Sequence, residues 1–135
     1  RYKAQQKRRA RCSCVAGGCA LPLAMATSPR RLLFVGDSLT YCNDLDEQVK
    51  AFAEAAFPDG IFEVDRSVMG GATLKVLWHK TDAKQRIDSG AYDVVVLQED
   101  MPELDPRTGV ATFKKFAKMF HERISASGAK TVLFM

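Results

Sequence analysis

The sequence has no long apolar run, and it is poor in cysteine. Its longest apolar run falls far short of the roughly 20 residues that a membrane-spanning helix needs, so we expect no membrane protein. Four cysteines in 135 residues are too few for a small fold built on disulfides. With 47% hydrophobic and 27% charged residues, the composition is that of a globular chain. The length suits one domain or part of one.

Acidic residues are absent from the first 31 positions. This segment holds 8 of the 20 Lys and Arg and none of the 16 Asp and Glu, so its net charge is +8, whereas residues 32–135 carry −4. The overall charge of +4 and the pI near 9.0 therefore describe a basic leader ahead of a mildly acidic body. Nucleic-acid binding would depend entirely on that leader, so we do not expect a nucleic-acid partner.

Residues 1–30 form this leader, which we interpret as disordered or as a targeting segment. Basic residues come first, and Ala24-Met25-Ala26 is typical of a signal-peptide cleavage site. An acid-free, Arg-rich leader is also typical of an organelle transit peptide. A third interpretation starts translation at Met25. The protein is then cytoplasmic in the third case and secreted or organellar in the other two.

Three of the four cysteines, Cys12, Cys14 and Cys19, lie in the leader. Their spacing is not C-x-x-C, and no histidine is near them. We therefore interpret them as incidental thiols and expect no metal site. The sequence implies no other cofactor.

Short apolar runs alternate with helical patterns over residues 31–135, with no repeat or linker. The predicted strands are 32–35, 62–68, 92–97 and 131–135, and the predicted helices are 45–56 (opened by a capping box at Asp44), 74–87 and 110–124. The order β-α-β-α-β-α-β indicates an α/β fold, a parallel sheet with helices on both faces. Because a parallel sheet needs helices on both faces, a chain ending at its fourth strand is expected to be a truncated domain.

Three loops follow predicted strands, and ligands bind beyond the carboxyl ends of strands in such sheets. The loops are 36–40, which carries the hydroxyl of Ser38, 69–73, which carries two glycines, and 98–101, which carries an amide and carboxylates. A serine nucleophile needs donors aimed at the oxyanion that its attack creates, and these loops supply them. Neither phosphate-binding glycine motif, G-x-x-x-x-G-K-[ST] or G-x-G-x-x-G, is present.

These loops resemble the blocks of the SGNH/GDSL hydrolases. Val35-Gly36-Asp37-Ser38-Leu39-Thr40 is similar to the first block, Gly70-Gly71-Ala72-Thr73-Leu74 to the second, and 95–100 occupies the third. The resemblance covers residues 31–135, the amino-terminal half of such a domain with its flavodoxin-like three-layer sandwich. It implies an esterase that acts through an acyl-enzyme on Ser38. It also implies an oxyanion site from Gly71, the Ser38 amide and Gln98, supported by Asp37, Gly70 and Asn43.

Two features depart from the family pattern. The third block normally carries Gly-x-Asn-Asp, but here it reads Gln98-Glu99-Asp100. Some branches of the superfamily carry a similar Leu-Gln-Glu stretch together with Tyr-x-Asn-Asp after the nucleophile, which Tyr41-Cys42-Asn43-Asp44 matches. The family's general base lies in an Asp-x-x-His stretch that this sequence lacks, since its histidines, His79 and His121, fall in predicted helices.

Alternatives remain open for the same residues. Ser38 could cap a helix, Gly70-Gly71 could form only a turn, and 98–100 could be a solvated loop. The implied substrate is a small ester, with acylated carbohydrates included, and the oligomeric state is unreadable. Without a histidine base, we expect the 135-residue chain to be inactive and poorly stable alone. The main alternative is a non-catalytic remnant of the fold that binds a ligand or partner.

Overall fold

The computed structural model describes residues 28–100 and 109–134. The leader up to residue 27, with its three cysteines, and the segment 101–108 lie outside the described residues. The strands are β1 Arg30–Gly36, β2 Phe62–Val68, β3 Val94–Gln98 and β4 Lys130–Phe134, and the helices are α1 Ser38–Tyr41, α2 Leu45–Ala56, α3 Leu74–Lys80, α4 Ala83–Asp88 and α5 Gly109–Ala126. Among these residues, no helix has the length and apolar character needed to cross a membrane.

All four strands pair in parallel in the spatial order β2-β1-β3-β4. The central strand β1 pairs with β2 from Arg30 opposite Phe62 onwards and with β3 from Leu32 opposite Val94 onwards. Each parallel connection needs a crossover, which the intervening helices supply. The predicted α/β class with a parallel sheet is therefore confirmed.

The main core lies on one face of the sheet. Leu33 and Val35 of β1 alternate with residues of the opposite face, and both are fully buried. Helices α3, α4 and α5 cover them, and Phe116, Phe120 and Ile124 of α5 form the stripe that the sequence predicts. The ring of Trp78 in α3 meets Phe120 edge-on at 4.9 Å between centroids. Burial of these side chains holds the three helices against the sheet.

Helix α2 packs beside β2, toward the face that carries Phe34. Its residue Asp46 is buried and lies 3.5 Å from the guanidinium of Arg66 in β2. Phe52 belongs to the apolar pattern that predicts this helix, yet it is 74% exposed. On the same helix, Asp44 accepts no capping hydrogen bond, because it lies in the left-handed region and its carboxylate pairs with Arg66 instead.

One predicted helix, 74–87, is in fact two. The hydroxyl of Thr81 donates to the carbonyl of Leu77 and accepts from the amide of Ala83, so it satisfies backbone groups at the break. Asp82 beside it accepts a 2.6 Å hydrogen bond from Ser67 of β2. These side chains anchor the break between α3 and α4 to the sheet, which a helical periodicity cannot show.

Candidate active site

The three loops predicted to form a site meet at the carboxyl edge of the sheet. The carbonyl of Gly36 accepts a 3.2 Å hydrogen bond from the amide of Met69, which joins the first loop to the second. Gln98 joins the first loop to the third, and Glu99 joins the third to the amide of Leu74 at the start of α3. The contacts run between elements that are far apart in sequence, so the sheet order brings the three loops together.

Ser38 lies on a tight strand-to-helix turn. It is the first residue of α1 and is half-buried. Asp37, just before it, caps the helix, since its carboxylate accepts a 2.8 Å hydrogen bond from the amide of Leu39. The interpretation of Ser38 as the capping residue is therefore wrong. Among the described residues, nothing hydrogen-bonds to the Ser38 hydroxyl or to its amide, so both are available to a ligand.

Gly36 is glycine because there is no room for a side chain. A Cβ at this position would lie 2.3 Å from Oγ1 of Thr40 and 2.6 Å from Oε1 of Gln98. Both distances are shorter than van der Waals contact, and both neighbours are buried. The missing side chain lets α1 fold back against the end of β3.

Gln98 is enclosed by this network. Its side chain is 2% exposed, and Oε1 accepts 2.9 Å hydrogen bonds from the amide of Asp37 and from the hydroxyl of Thr40. Its Nε2 donates to the carbonyl of Glu99 at 2.8 Å. The interpretation of residues 98–100 as a solvated loop is wrong for Gln98 and Glu99, which are both buried.

Glu99 is a residue whose role the sequence reasoning missed. Its carboxylate accepts hydrogen bonds of 3.1 Å from the amides of Leu74 and Asp100. It therefore holds the start of α3, and with it the glycine loop, against the end of β3. The signal was available, because a carboxylate directly after an apolar strand is buried at the strand's carboxyl end and must find donors there.

The glycine loop presents two different glycines. At Gly70, a Cβ would lie 2.8 Å from the hydroxyl of Tyr41, whereas at Gly71 nothing lies within 4 Å. Gly71 instead has a φ of 62°, in the left-handed region that favours glycine. Its exposed amide has no hydrogen-bond partner among the described residues, so it can donate to a ligand.

Asn43 and the two histidines lie apart from this network. Asn43 is exposed, and only its backbone carbonyl is engaged, by the Gln48 side chain. His79 is exposed and its ring packs 5.8 Å from that of Phe116. His121 is also exposed, with Nδ1 2.9 Å from Oγ1 of Thr131, near the amino end of β4. Within the described residues, neither histidine hydrogen-bonds to Ser38.

Two of the hollows beside the described part of the sheet lie at its opposite ends. A cleft of about 370 Å³ adjoins the site and is lined by Tyr41, Asp44, Arg66, Val68, Met69 and Gly70. A larger one of about 660 Å³ lies at the amino ends of β1 and β2, away from Ser38. The smaller cleft is the candidate site because it adjoins the Ser38 turn and the glycine loop, although the other hollow has the larger volume. Within residues 28–100 and 109–134, no group of three His, Cys, Asp or Glu side chains could hold a metal ion.

Similar folds occur among solved structures. A protein of Slackia heliotrinireducens, proposed to be an SGNH hydrolase, is 24% identical with a TM-score of 0.57, and the alignment covers 78% of this chain and 55% of that one. The chain has the SGNH-hydrolase fold. TesA shares this fold, with 19% identity and a TM-score of 0.59, and the alignment covers 77% of this chain and 59% of that one. The acetyl xylan esterase AlAXEase shares it as well, with 20% identity and a TM-score of 0.54, and the alignment covers 76% of this chain and 56% of that one.

The match to these SGNH-fold structures is partial. The chain spans only 55% to 59% of the length of the three solved structures. This share agrees with the expected truncation after the fourth strand. No protein-family model matches the sequence, and no curated protein matches it.

Proposed function

We propose that this chain is the amino-terminal half of a serine ester hydrolase. One observation carries the proposal. Ser38 opens a helix at the carboxyl end of the central strand, and its hydroxyl has no hydrogen-bond partner among the described residues. The glycine loop is tied directly to that turn through Gly36 and Met69. A hydroxyl at this place, with the Ser38 and Gly71 amides also lacking partners among the described residues, suits acyl transfer better than a purely structural turn.

In the proposed reaction, the Ser38 oxygen attacks the ester carbonyl carbon and loses its proton to a general base. The tetrahedral oxyanion is held by the amides of Ser38 and Gly71. The intermediate collapses with release of the alcohol, which takes up the proton, and water then hydrolyses the acyl-serine. His79 packs against Phe116 and His121 meets Thr131, so neither is a base for Ser38 among the described residues. We propose that a longer form of the protein supplies a histidine base and that the 135-residue chain alone is inactive.

The proposed substrates are small esters, including acetylated carbohydrates. Support comes from one protein with this fold, an acetyl xylan esterase. The open cleft beside the site is lined by Tyr41, Arg66 and Met69, so it offers both polar and apolar contacts to the group next to the scissile bond. The proposed reaction needs no metal or organic cofactor.

The test begins with the reading frame beyond Met135. The longer product and the 135-residue chain are assayed with p-nitrophenyl acetate, each beside its Ser38→Ala variant. We expect turnover by the longer product alone and a loss of at least about 10³-fold in kcat in Ser38→Ala. Ser125→Ala, an exposed serine of α5, is the matched control and should keep the parent rate. A Ser38→Ala product that is as active as the parent would refute the proposal.

The second candidate is a non-catalytic binding remnant of this fold. It is favoured by the absence of a histidine partner for Ser38 among the described residues. A stop codon directly after Met135, with no turnover by the chain, would support this candidate. Acetylated xylo-oligosaccharide titrated into the chain would then measure binding through the cleft, with Arg66→Ala as the variant expected to weaken it.

A further inference from the structure

We propose that Gln98 is a positioning residue that holds the Ser38 turn as a hydrogen-bond acceptor, and that it is not a donor to the oxyanion. This inference rests on the proposed function of Ser38 and deepens it. It also replaces the oxyanion role that the family resemblance implies for Gln98. The reason lies in which end of the carboxamide faces the turn.

The orientation of the carboxamide is fixed by two backbone groups. The amide of Asp37 can only donate, so the atom that it meets at 2.9 Å has to be Oε1. The carbonyl of Glu99 can only accept, so the atom that it meets at 2.8 Å has to be Nε2. Turning the carboxamide over would set two donors against each other at Asp37 and two acceptors at Glu99. Because both contacts are buried, each mismatch would cost the full desolvation of an unpaired group.

The oxygen therefore faces the nucleophile turn, and the nitrogen points away from it. Oε1 receives both the Asp37 amide and the Thr40 hydroxyl, which flank Ser38 on either side. These two hydrogen bonds fix the ends of the segment 37–40, so the direction of the Ser38 side chain is set by Gln98. Gly36 supports the arrangement, since any Cβ there would lie 2.6 Å from Oε1.

The consequence is a division of roles between side chain and backbone. The oxyanion is left to the amides of Ser38 and Gly71, which have no other partner among the described residues. Gln98 contributes only through the geometry of the turn. The family pattern has an Asn at this position, and that Asn donates to the oxyanion. In this chain Gln98 occupies the position, and its side chain accepts hydrogen bonds from the nucleophile turn.

The first test uses the 135-residue chain and needs no activity. NMR should detect a scalar coupling across the hydrogen bond between the Asp37 amide nitrogen and the Gln98 side-chain carbonyl carbon. Gln98→Met has the same length without the acceptor, and it should speed hydrogen exchange at Asp37 by about tenfold, the effect of one lost hydrogen bond. The Val95 amide, in the sheet core, should change far less. Gln98→Glu keeps an oxygen at this point and, as a neutral buried carboxyl, can still donate to the Glu99 carbonyl, so it should leave Asp37 protected.

The second test uses the longer product with p-nitrophenyl acetate. We expect kcat to fall in Gln98→Met with little change in KM, and Gln98→Glu to have a kcat at least about tenfold above that of Gln98→Met. If Gln98 donated to the oxyanion instead, Gln98→Met and Gln98→Glu would both lose about 10²- to 10³-fold in kcat.

Each outcome bears on the inference. Equal losses in the two variants, a missing coupling in the parent, or equal acceleration of exchange at Asp37 and Val95 would overturn it. If Gln98→Met does not fold, the coupling in the parent still decides. If the longer parent shows no turnover, the proposed function fails, while the coupling and exchange data still decide the role of Gln98.

Discussion

Gly36 lies directly against the buried carboxamide of Gln98, so that a Cβ on the glycine would be 2.6 Å from Oε1. The same Cβ would meet the Thr40 hydroxyl at 2.3 Å. Neither neighbour can withdraw without breaking its hydrogen bond to the other. The small residue before the proposed nucleophile is thus a packing requirement of the turn.

The first prediction concerns this contact. Gly36→Ala should lower the free energy of unfolding by about 1–3 kcal/mol, because the added methyl overpacks a filled site. Urea denaturation of the chain measures it. Gly70→Ala is the control, since its Cβ would meet only the Tyr41 hydroxyl, at the far end of a side chain that can move. A Gly36→Ala protein as stable as the parent would contradict the packing argument.

Gly71 gives a second prediction with a different physical cause. Space is open around its Cα, but its φ is 62°. Gly71→Ala should therefore cost about 1–2 kcal/mol through backbone strain alone. Gly71→Asn should cost less, because Asn tolerates the left-handed region better than Ala does. The two variants are compared by urea denaturation, and equal losses would show that strain is not the cause.

Glu99 gives the third prediction. Glu99→Leu removes the acceptor of the Leu74 and Asp100 amides, so it should cost about 1–3 kcal/mol for buried donors left unpaired. Hydrogen exchange at Leu74 should become faster. Glu99→Gln keeps one carbonyl oxygen and is the matched control, with a smaller loss. If Leu74 exchanges at the same rate in Glu99→Leu as in the parent, the carboxylate does not hold the start of α3.

The strand pattern and the site loops could be predicted from the sequence because both depend on local signals. A short apolar run ending in Gly36 and an alternating pattern followed by Gly70 mark where two strands stop, and parallel pairing then brings their carboxyl ends together. The family resemblance is confirmed at the level of the fold. The roles proposed for Ser38 and Gly71 stay predictions.

The features that the sequence did not predict depend on contacts between residues far apart in the chain. The break between α3 and α4 depends on Thr81 and on Asp82 bonding to Ser67 in a distant strand, which no periodicity contains. The orientation of Gln98 depends on Asp37, which lies 61 positions away in the sequence. Helical spacing indicated a buried face on α2 but could not show that this helix packs at the edge of the sheet, where Phe52 stays exposed.

The fourth prediction contrasts two phenylalanines at helical positions. Phe120 is fully buried under Trp78, so Phe120→Ala should cost about 3–5 kcal/mol. Phe52→Ala removes a side chain that is 74% exposed and should change stability by less than about 0.5 kcal/mol. Urea denaturation of both variants tests the packing of α2 and α5. A large loss in Phe52→Ala would mean that α2 is covered in solution by something absent from the described residues.

The fifth prediction concerns the ion pair between Asp88 of α4 and Arg123 of α5. Two hydrogen bonds from the Arg123 guanidinium hold the pKa of Asp88 below its ordinary value. Burial opposes this effect, and the charges of Arg123 and Lys84 add to it. The folded pKa is thus lower than the unfolded one. The stabilisation is complete above the unfolded value of about 4 and is lost as the pH falls through the folded pKa.

Asp88→Asn tests this ion pair without disturbing Arg123, which also lies over the Trp78 ring. At pH 7 the variant should be less stable than the parent by about 0.2–1 kcal/mol, because both partners are partly exposed and water screens the pair. As the pH falls below about 4 and through the folded pKa of Asp88, the gap should close, since the parent carboxyl becomes neutral like the amide. Glu54→Gln, at an exposed position of α2 outside the ion pairs of the described residues, should show no such pH dependence. If the stability difference between Asp88→Asn and the parent increased in acid, the ion pair would be excluded as its source.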